Sequence, residues 1–326
     1  MKNAARFLLA LALASAALRA EARTGEPQPQ FTGREYVRLE DWARMNQFQI
    51  RWLDREKTFQ LSNRVARLTF IVNSCGAQLN GVETWLSFPI NLRNGVILIS
   101  QLDLQKTLGP ILYPPANKPG FKIKTICLDP GHGGRDSGNR VGSNEEKKYT
   151  LLLAQEVGNQ LQRAGFKVLF TRTSDTFVDL PDRPLLANRR RADLFVSLHF
   201  NSIETSRSEV NGVETYSITP AGTTSTNARG EGDTRWVSGN GNDEKNLLLA
   251  YQVQKFLTRE LAVEDRGLRR ARFAVLRDAA MPAILIEGGF MSHPVEGRKI
   301  FDAAYRRQLA RAIVDGVLAY KRIVKG

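Results

Sequence analysis

The sequence predicts an α/β protein: a mostly parallel, helix-flanked sheet preceded by a small α+β accessory domain. Three observations carry that expectation. Over residues 122–323, apolar runs of strand length alternate with long stretches of helical periodicity, the pattern of a largely parallel sheet covered by helices. Over residues 31–112 the pattern is instead one of short strands and a single helix between turn signals. Between the two, residues 113–121 (YPPANKPGF) hold three prolines and a glycine, a linker that no regular element crosses.

Taken in order, the chain opens on an expected signal peptide over residues 1–22. Lys2 and Arg6 give a positive start, Phe7 to Leu18 is almost wholly apolar, and Ala20-Glu21-Ala22 offers a small-x-small cleavage site. About 12 apolar residues are too few to span a bilayer, and an uncleaved anchor is the alternative. No later segment approaches ~18 uninterrupted apolar residues, so no transmembrane span is expected. Residues 23–30 (RTGEPQPQ) read as a polar tether. EYVRLEDWARMNQ then reads as a strand running into an amphipathic helix. TFQLSN, RLTFIVN, GVETWLSFPI and NGVILIS read as strands, with Asn80-Gly81 and Asn94-Gly95 as hairpin signals.

Past the linker, KTICLDP is a strand, and Glu146 to Ala164 is a helix with Leu151, Ala154, Val157, Leu161 and Ala164 on one face. FKVLFTR is a strand, Pro181 to Arg191 a helix, and DLFVSLH and GVETYSI two strands. Thr219 to Asn242 is polar and rich in glycine and threonine, a surface loop. The next helix carries Leu249, Val253 and Phe256 as its apolar stripe; Phe273–Leu276 and Ala283–Ile286 follow as strands, and Leu309, Ile313, Val317 and Tyr320 mark a closing helix.

Lysine and arginine outnumber acidic residues 47 to 33, a net charge of +14. Such a balance suits an anionic partner or serves solubility alone. No basic helix interleaved with aromatics and no nucleic-acid module is present, so nucleic acid is not the expected partner. An anionic cell-envelope polymer fits an exported chain. Of the two cysteines, Cys75 and Cys127, the second sits inside an apolar strand and reads as a small buried residue; a bridge between them is not readable from sequence.

The chemistry concentrates at strand ends. Of only three histidines, His132 lies in DPGHGG and His199 closes DLFVSLH, while Glu287 ends AILIE. Imidazole and carboxylate at the points where strands give way to loops are how an α/β enzyme builds a zinc site. Glycine on both sides of His132 leaves nothing local to pack its ring.

LDPGHGG, NEEKKYTLLLA, SLHFNS, GVETY, DRGLRRARFAVLR and IEGGFMSHP occur in an order that resembles the zinc-dependent N-acetylmuramoyl-L-alanine amidases (type 3), which cleave peptidoglycan; the likeness spans residues 122–323. The resemblance implies one catalytic Zn²⁺ held by His132, Glu146 and His199, with Glu287 as general base. The ligand glutamate enters the first helix in a Glu-Lys dipeptide, which selects Glu146 over Glu145; the latter suits the helix N-terminus. Asn201 either orients a ligand, bonds substrate or caps a turn. Arg172 matches a family arginine that either holds a stem-peptide carboxylate or braces the fold. Asp129 is expected to brace the glycine turn or to support His132, and His293 to form a turn. Residues 31–112 resemble, by rhythm of strands, the small N-terminal domain named after copper amine oxidases. They contain no histidine, so no copper site is expected, and the segment is either a docking module for an envelope partner or a spacer.

The expected function is therefore that of an exported hydrolase, in the periplasm or cell envelope or outside the cell, that cuts the amide between N-acetylmuramic acid and L-alanine of peptidoglycan. A zinc peptidase or deacylase on another envelope amide, and a non-catalytic wall-binding module, are the competing readings. The site is expected to be accessible, with the Thr219–Asn242 loop as its lid.

Overall fold

Side chains from residue 58 to residue 85 alternate between buried and exposed, as strands with one dry and one wet face must. The computed structural model describes residues 35–226, 228 and 232–325; the expected signal peptide (1–22) and tether (23–30) lie outside the described residues. Strand β1 (Tyr36–Arg38) runs into helix α1 (Leu39–Met45). An antiparallel meander follows: β2 (Gln49–Asp54), β3 (Thr58–Ser62), β4 (Arg67–Ile71), β5 (Gly76–Leu79) and β6 (Val82–Trp85). The β5–β6 turn is Asn80-Gly81, with φ of 52° and 80°, and the Asn94-Gly95 turn (48° and 77°) joins β7 (Asn91–Arg93) to β8 (Val96–Ser100). Positive φ at both central residues is what this hairpin turn demands and what asparagine and glycine tolerate. β1, β8 and β7 form a small sheet of their own, and residues 101–112 are a short helical stretch.

The second half comprises β9 (Thr125–Pro130), the short hairpin β10 (Arg140–Val141) and β11 (Asn144–Glu145), α2 (Glu146–Arg163), β12 (Lys167–Phe170), α3 (Asp182–Arg189), β13 (Leu194–Asn201), β14 (Val213–Ile218), α4 (Asp243–Leu261), β15 (Asp265–Ala271), α5 (Ala274–Arg277), β16 (Ala283–Phe290), α6 (Glu296–Phe301) and α7 (Ala303–Ile323). β12, β9, β13 and β16 are parallel neighbours; β14 runs antiparallel to β16, and β15 parallel to β14. Helices α2, α4 and α7 cover one face. Leu153, Val157, Leu249, Val253, Ile286, Leu309, Ile313 and Val317 are there at 0% exposure, each buried side chain contributing roughly 1.5–3 kcal/mol as an upper bound. A smaller apolar layer under α3 and α5, including Phe195, Tyr216, Leu276 and Leu285, lines the other face.

The sheet does not stop at β15. β6 pairs with it in parallel at Leu268↔Thr84, so the meander and the strands of the second half form one sheet of 11 strands, ordered β12-β9-β13-β16-β14-β15-β6-β5-β4-β3-β2. The apolar core runs on without a break from Ile286 and Leu249 to Leu79, Phe70 and Phe59. Across the seam Glu83 N–H donates to Asp265 Oδ2 (2.9 Å), Tyr251 Oη to Leu79 O (3.1 Å) and Arg270 Nη2 to Lys106 O (2.7 Å).

Three expectations need correction. Phe273–Leu276 is not a strand but the start of a turn into α5; the strand is the arginine-rich Asp265–Ala271, whose charges mask its pattern. On the helices, Ala164 is exposed past the end of α2, and Phe256 is half-buried while Leu257 takes the buried place on α4. The Thr219–Asn242 segment does not start beside the site: β14 pairs Glu214 with Glu287 and Tyr216 with Leu285, so the chain has left the site end of the sheet before residue 219. At its far end Asn242 Nδ2 donates to Ala280 O, near the start of β16.

Candidate functional site

Where β9 ends, the backbone N–H of Gly131 still bonds Leu198 O on β13 (3.0 Å), and the chain then turns sharply through His132 at φ 62°. A left-handed histidine costs roughly 1–2 kcal/mol, and the surroundings hold it there. Arg183, 1% exposed, donates from Nη1 to Asp129 Oδ1 (2.9 Å) and Pro130 O (3.0 Å), and from Nη2 to His132 O (3.0 Å). Arg172, 3% exposed, donates from Nε to Pro130 O and from Nη2 to Gly131 O and Lys147 O. Of the two roles open to Arg172, the structure gives it the brace: its guanidinium is spent on backbone carbonyls under the turn and is not presented to a substrate. Gly131 is required sterically, because a Cβ there would lie 2.2 Å from Cε1 of His199.

Helix α2 begins with Glu146, whose side chain is 1% exposed. Its Oε2 lies 3.1 Å from His132 Nε2 and accepts from the N–H and Nδ2 of Asn139, both at 2.9 Å. Its Oε1 lies 3.1 Å from His199 Nδ1 and accepts from Phe200 N–H (3.1 Å). Burial alone would raise this carboxyl, but the bonds and charges of the two histidines hold it well below the ordinary range. Ligand-capable atoms of His132, Glu146 and His199 all lie within 4.8 Å of one another, the one such group among the described residues. Glu145 points elsewhere, to Arg140 Nη2 at 2.6 Å.

Sheet register brings in the rest. His199 on β13 is opposite Glu287 on β16, and Glu287 opposite Glu214 on β14, so the three share one face in a row. Oε2 of Glu287 is buried without a hydrogen-bond partner, and burial followed by the charges of Glu146 and Glu214 pushes this carboxyl well above its ordinary range. The buried Glu146 carboxylate lies between two imidazoles, and the unmatched buried oxygen of Glu287 is on the strand beside His199, so the site carries an excess of electron-pair donors. That excess and the N/O donor set fit a divalent cation of the zinc type. Asn201 does not stand free beside the ligands: its Nδ2 donates to Glu214 Oε1 at 2.6 Å.

Sequence reasoning passed over several residues that the fold brings here. Asp136 Oδ2, not Asp129, meets His132 Nδ1, at 2.9 Å. Asp129 is instead fully buried among Thr171, Arg183 and Ser197. Glu214 is 5% exposed and bound by Asn201, by Tyr216 Oη (3.2 Å) and by Arg269 Nε (2.8 Å). A single acid within the otherwise buried GVETYSI run was its signal. His293 forms a turn, as expected, accepting at Nδ1 from Glu296 N–H. Cys75 and Cys127 are not joined by a disulfide.

With this geometry in place, the likeness to other proteins is specific. Residues 126–319 match the family model described as N-acetylmuramoyl-L-alanine amidase. The chain is 34% identical over 199 residues to N-acetylmuramoyl-L-alanine amidase LytC of Bacillus subtilis, covering 61% of this chain and 36% of that protein. It is 30% identical over 247 residues to N-acetylmuramoyl-L-alanine amidase AmiA of Escherichia coli, covering 68% of this chain and 84% of that one. The crystal structure of N-acetylmuramoyl-L-alanine amidase from Clostridium difficile 630 superposes with a TM-score of 0.51 at 36% identity, over 61% of this chain and 97% of that one. The chain thus spans about a third of the Bacillus relative and most of the other two.

Proposed function

The chain belongs to the N-acetylmuramoyl-L-alanine amidase family, and from that premise we propose that it hydrolyses the amide between N-acetylmuramic acid and L-alanine in peptidoglycan, with one zinc ion as cofactor. The observation that carries the reading is the row His199, Glu287 and Glu214 beside the His132–Glu146–His199 cluster. Ring nitrogens of His132 and His199 and the carboxylate of Glu146 would hold the ion. When bound, zinc supplies a Lewis acid that polarises a carbonyl oxygen and lowers the pKa of water towards about 7.

The chain's own groups account for the proton traffic. Glu287, opposite His199 with its buried Oε2 unmatched, would take a proton there from the attacking water and return it to the departing amine of L-alanine. Asp136 orients the His132 ring through Nδ1, leaving Nε2 directed at Glu146. Arg172 and Arg183 keep the glycine turn rigid by binding its carbonyls. Action on the wall requires export, which the leader-like residues 1–22 support; no helix among the described residues is long and apolar enough to cross a membrane.

Purified peptidoglycan, digested with and without a zinc chelator and followed by mass analysis, tests this reading. The expected result is release of stem peptides beginning at L-alanine, abolished by chelation and restored by zinc. Glu287→Gln is expected to keep the metal and lose turnover by at least about a hundredfold. Products cut at another amide would favour the peptidase or deacylase reading, and metal-loaded protein that binds wall without cutting it would make the chain a binding module.

A further inference from the structure

β6 lies beside β15 in the sheet, and its Trp85 touches the arginine that pairs with Glu214. Thr84 pairs with Leu268 on the helix-covered face, which turns Glu83 and Trp85 to the face that bears His199, Glu287 and Glu214. The Trp85 ring carries the Arg269 guanidinium 4.7 Å from its centroid. Trp85 Nε1 and Arg269 Nε both donate to Arg266 O, at 3.4 and 3.1 Å. Beneath the indole, a Cβ on Gly267 would come 3.1 Å from Trp85 Cδ1, so the ring is seated directly on the catalytic strand. Arg269 in turn reaches Glu214 Oε2 at 2.8 Å, with Arg266 Nε at 3.7 Å from the same oxygen. Glu214 Oε1 accepts from Asn201 Nδ2 at 2.6 Å, two residues from His199.

We propose that the N-terminal meander is a working part of the catalytic centre, with Trp85 a positioning residue that holds Arg269 on Glu214 and so fixes Asn201 and the surroundings of Glu287. The proposal rests on the amidase reading above. An arginine stacked on tryptophan is attracted to the face of the ring and loses its freedom to swing away from Glu214. Without that restraint Arg269 can leave Glu214, which then shifts towards its remaining partners Asn201 and Tyr216 beside the general base, and a displacement of about 1 Å near reacting atoms costs up to about a hundredfold in rate.

The test compares the full-length, zinc-loaded protein with Trp85→Leu, Trp85→Phe, Arg269→Gln and the Trp85→Leu/Arg269→Gln pair, on a soluble disaccharide-peptide from peptidoglycan. Trp85→Leu is expected to lower kcat roughly ten- to a hundredfold at unchanged KM and metal content. Trp85→Phe, which keeps a ring, should recover most of the loss, and the double variant should be no worse than Arg269→Gln alone. A second readout needs no turnover: an arginine Nε–H resonance absent from Arg269→Gln should be sharp in wild type, broadened in Trp85→Leu and restored in Trp85→Phe. Wild-type kcat in Trp85→Leu, additive losses in the pair, a kcat loss that only tracks lost metal or lost fold, or an unchanged resonance would each overturn the proposal. A wild-type chain that cuts nothing would instead sink the amidase reading, and the resonance would still decide the role of Trp85.

Discussion

At the scale of single residues, the site is defined by what stands behind its ligands. The Asp136 side chain is 40% exposed and its one tie to the cluster is His132 Nδ1 at 2.9 Å. Asp136→Ala should therefore leave the fold intact and weaken metal binding about 10- to 100-fold, measured by competition with a chromophoric chelator; unchanged affinity would mean that the ring is oriented by the turn alone. Gly131→Ala makes a sharper demand. Its Cβ would need the space of His199 Cε1 at 2.2 Å, so the imidazole must swing out, and metal content should fall below stoichiometric in protein that remains folded. Retention of one tightly held ion would show that the turn can move instead. Much of this was legible in the sequence, because glycine, histidine and glutamate at strand ends carry their chemistry locally. Asp136 was not, since nothing in RDSG distinguishes a turn aspartate from one aimed at a ring. Arg172 could be located but not assigned, because an arginine after a strand has the same local pattern whether it faces solvent or the underside of a turn.

At the scale of elements, one device ties together the strands around the site and another starts the closing helix. Beneath the site, Asp129 on β9 gathers Thr171 Oγ1 (2.6 Å), Arg183 Nη1 (2.9 Å) and Ser197 Oγ (2.7 Å) at 0% exposure, tying β9 to β13, α3 and the residue after β12. Asp129→Ala strands the Arg183 charge in the interior, and should cost about 3–5 kcal/mol, read from denaturant midpoints; a loss below about 1 kcal/mol would mean that water reaches the pair. At the other side, Asp302 caps α7, accepting at Oδ1 from Ala304 (2.7 Å) and Tyr305 (3.0 Å) N–H groups. The N–H groups of Tyr305 and then Ala304 hold this carboxyl below its ordinary value. A depressed carboxyl stabilises above its unfolded pKa, about 3.9, and loses that contribution as pH falls through the folded value. Asp302→Ala should thus melt lower than wild type at pH 7, with the gap closing below about pH 4; a gap independent of pH would assign the effect to helix propensity. Element identities were legible wherever apolar period was clean, as in α2, β13 and α7. β15 was missed because its buried and half-buried arginines reverse the usual polarity of a strand, and α5 because four residues contain no period.

At the scale of the whole molecule, the composition shift at residues 113–121 reads as a boundary, yet the sheet and the core cross it. Sequence registers the linker because its prolines are local. It cannot register that β6 docks on β15, since that contact joins segments far apart in the chain and rests on one backbone pairing, Leu268↔Thr84. The energetic consequence is specific. Separating the halves would expose the β15 edge and the continuous apolar layer from Leu79 to Leu249, and would strip Arg270, 2% exposed, of Lys106 O and Thr107 Oγ1. A buried guanidinium without its partners is among the more costly defects a fold can carry. The two halves should therefore unfold together. Calorimetry of metal-free protein is expected to give a single transition whose calorimetric and van't Hoff enthalpies agree. Chelator-treated and zinc-saturated samples should differ by a rigid shift of that one peak, about 2.7 kcal/mol at a hundredfold excess over Kd. Two resolved transitions, only one of them moved by zinc, would show the meander to be an independent domain resting against the catalytic sheet.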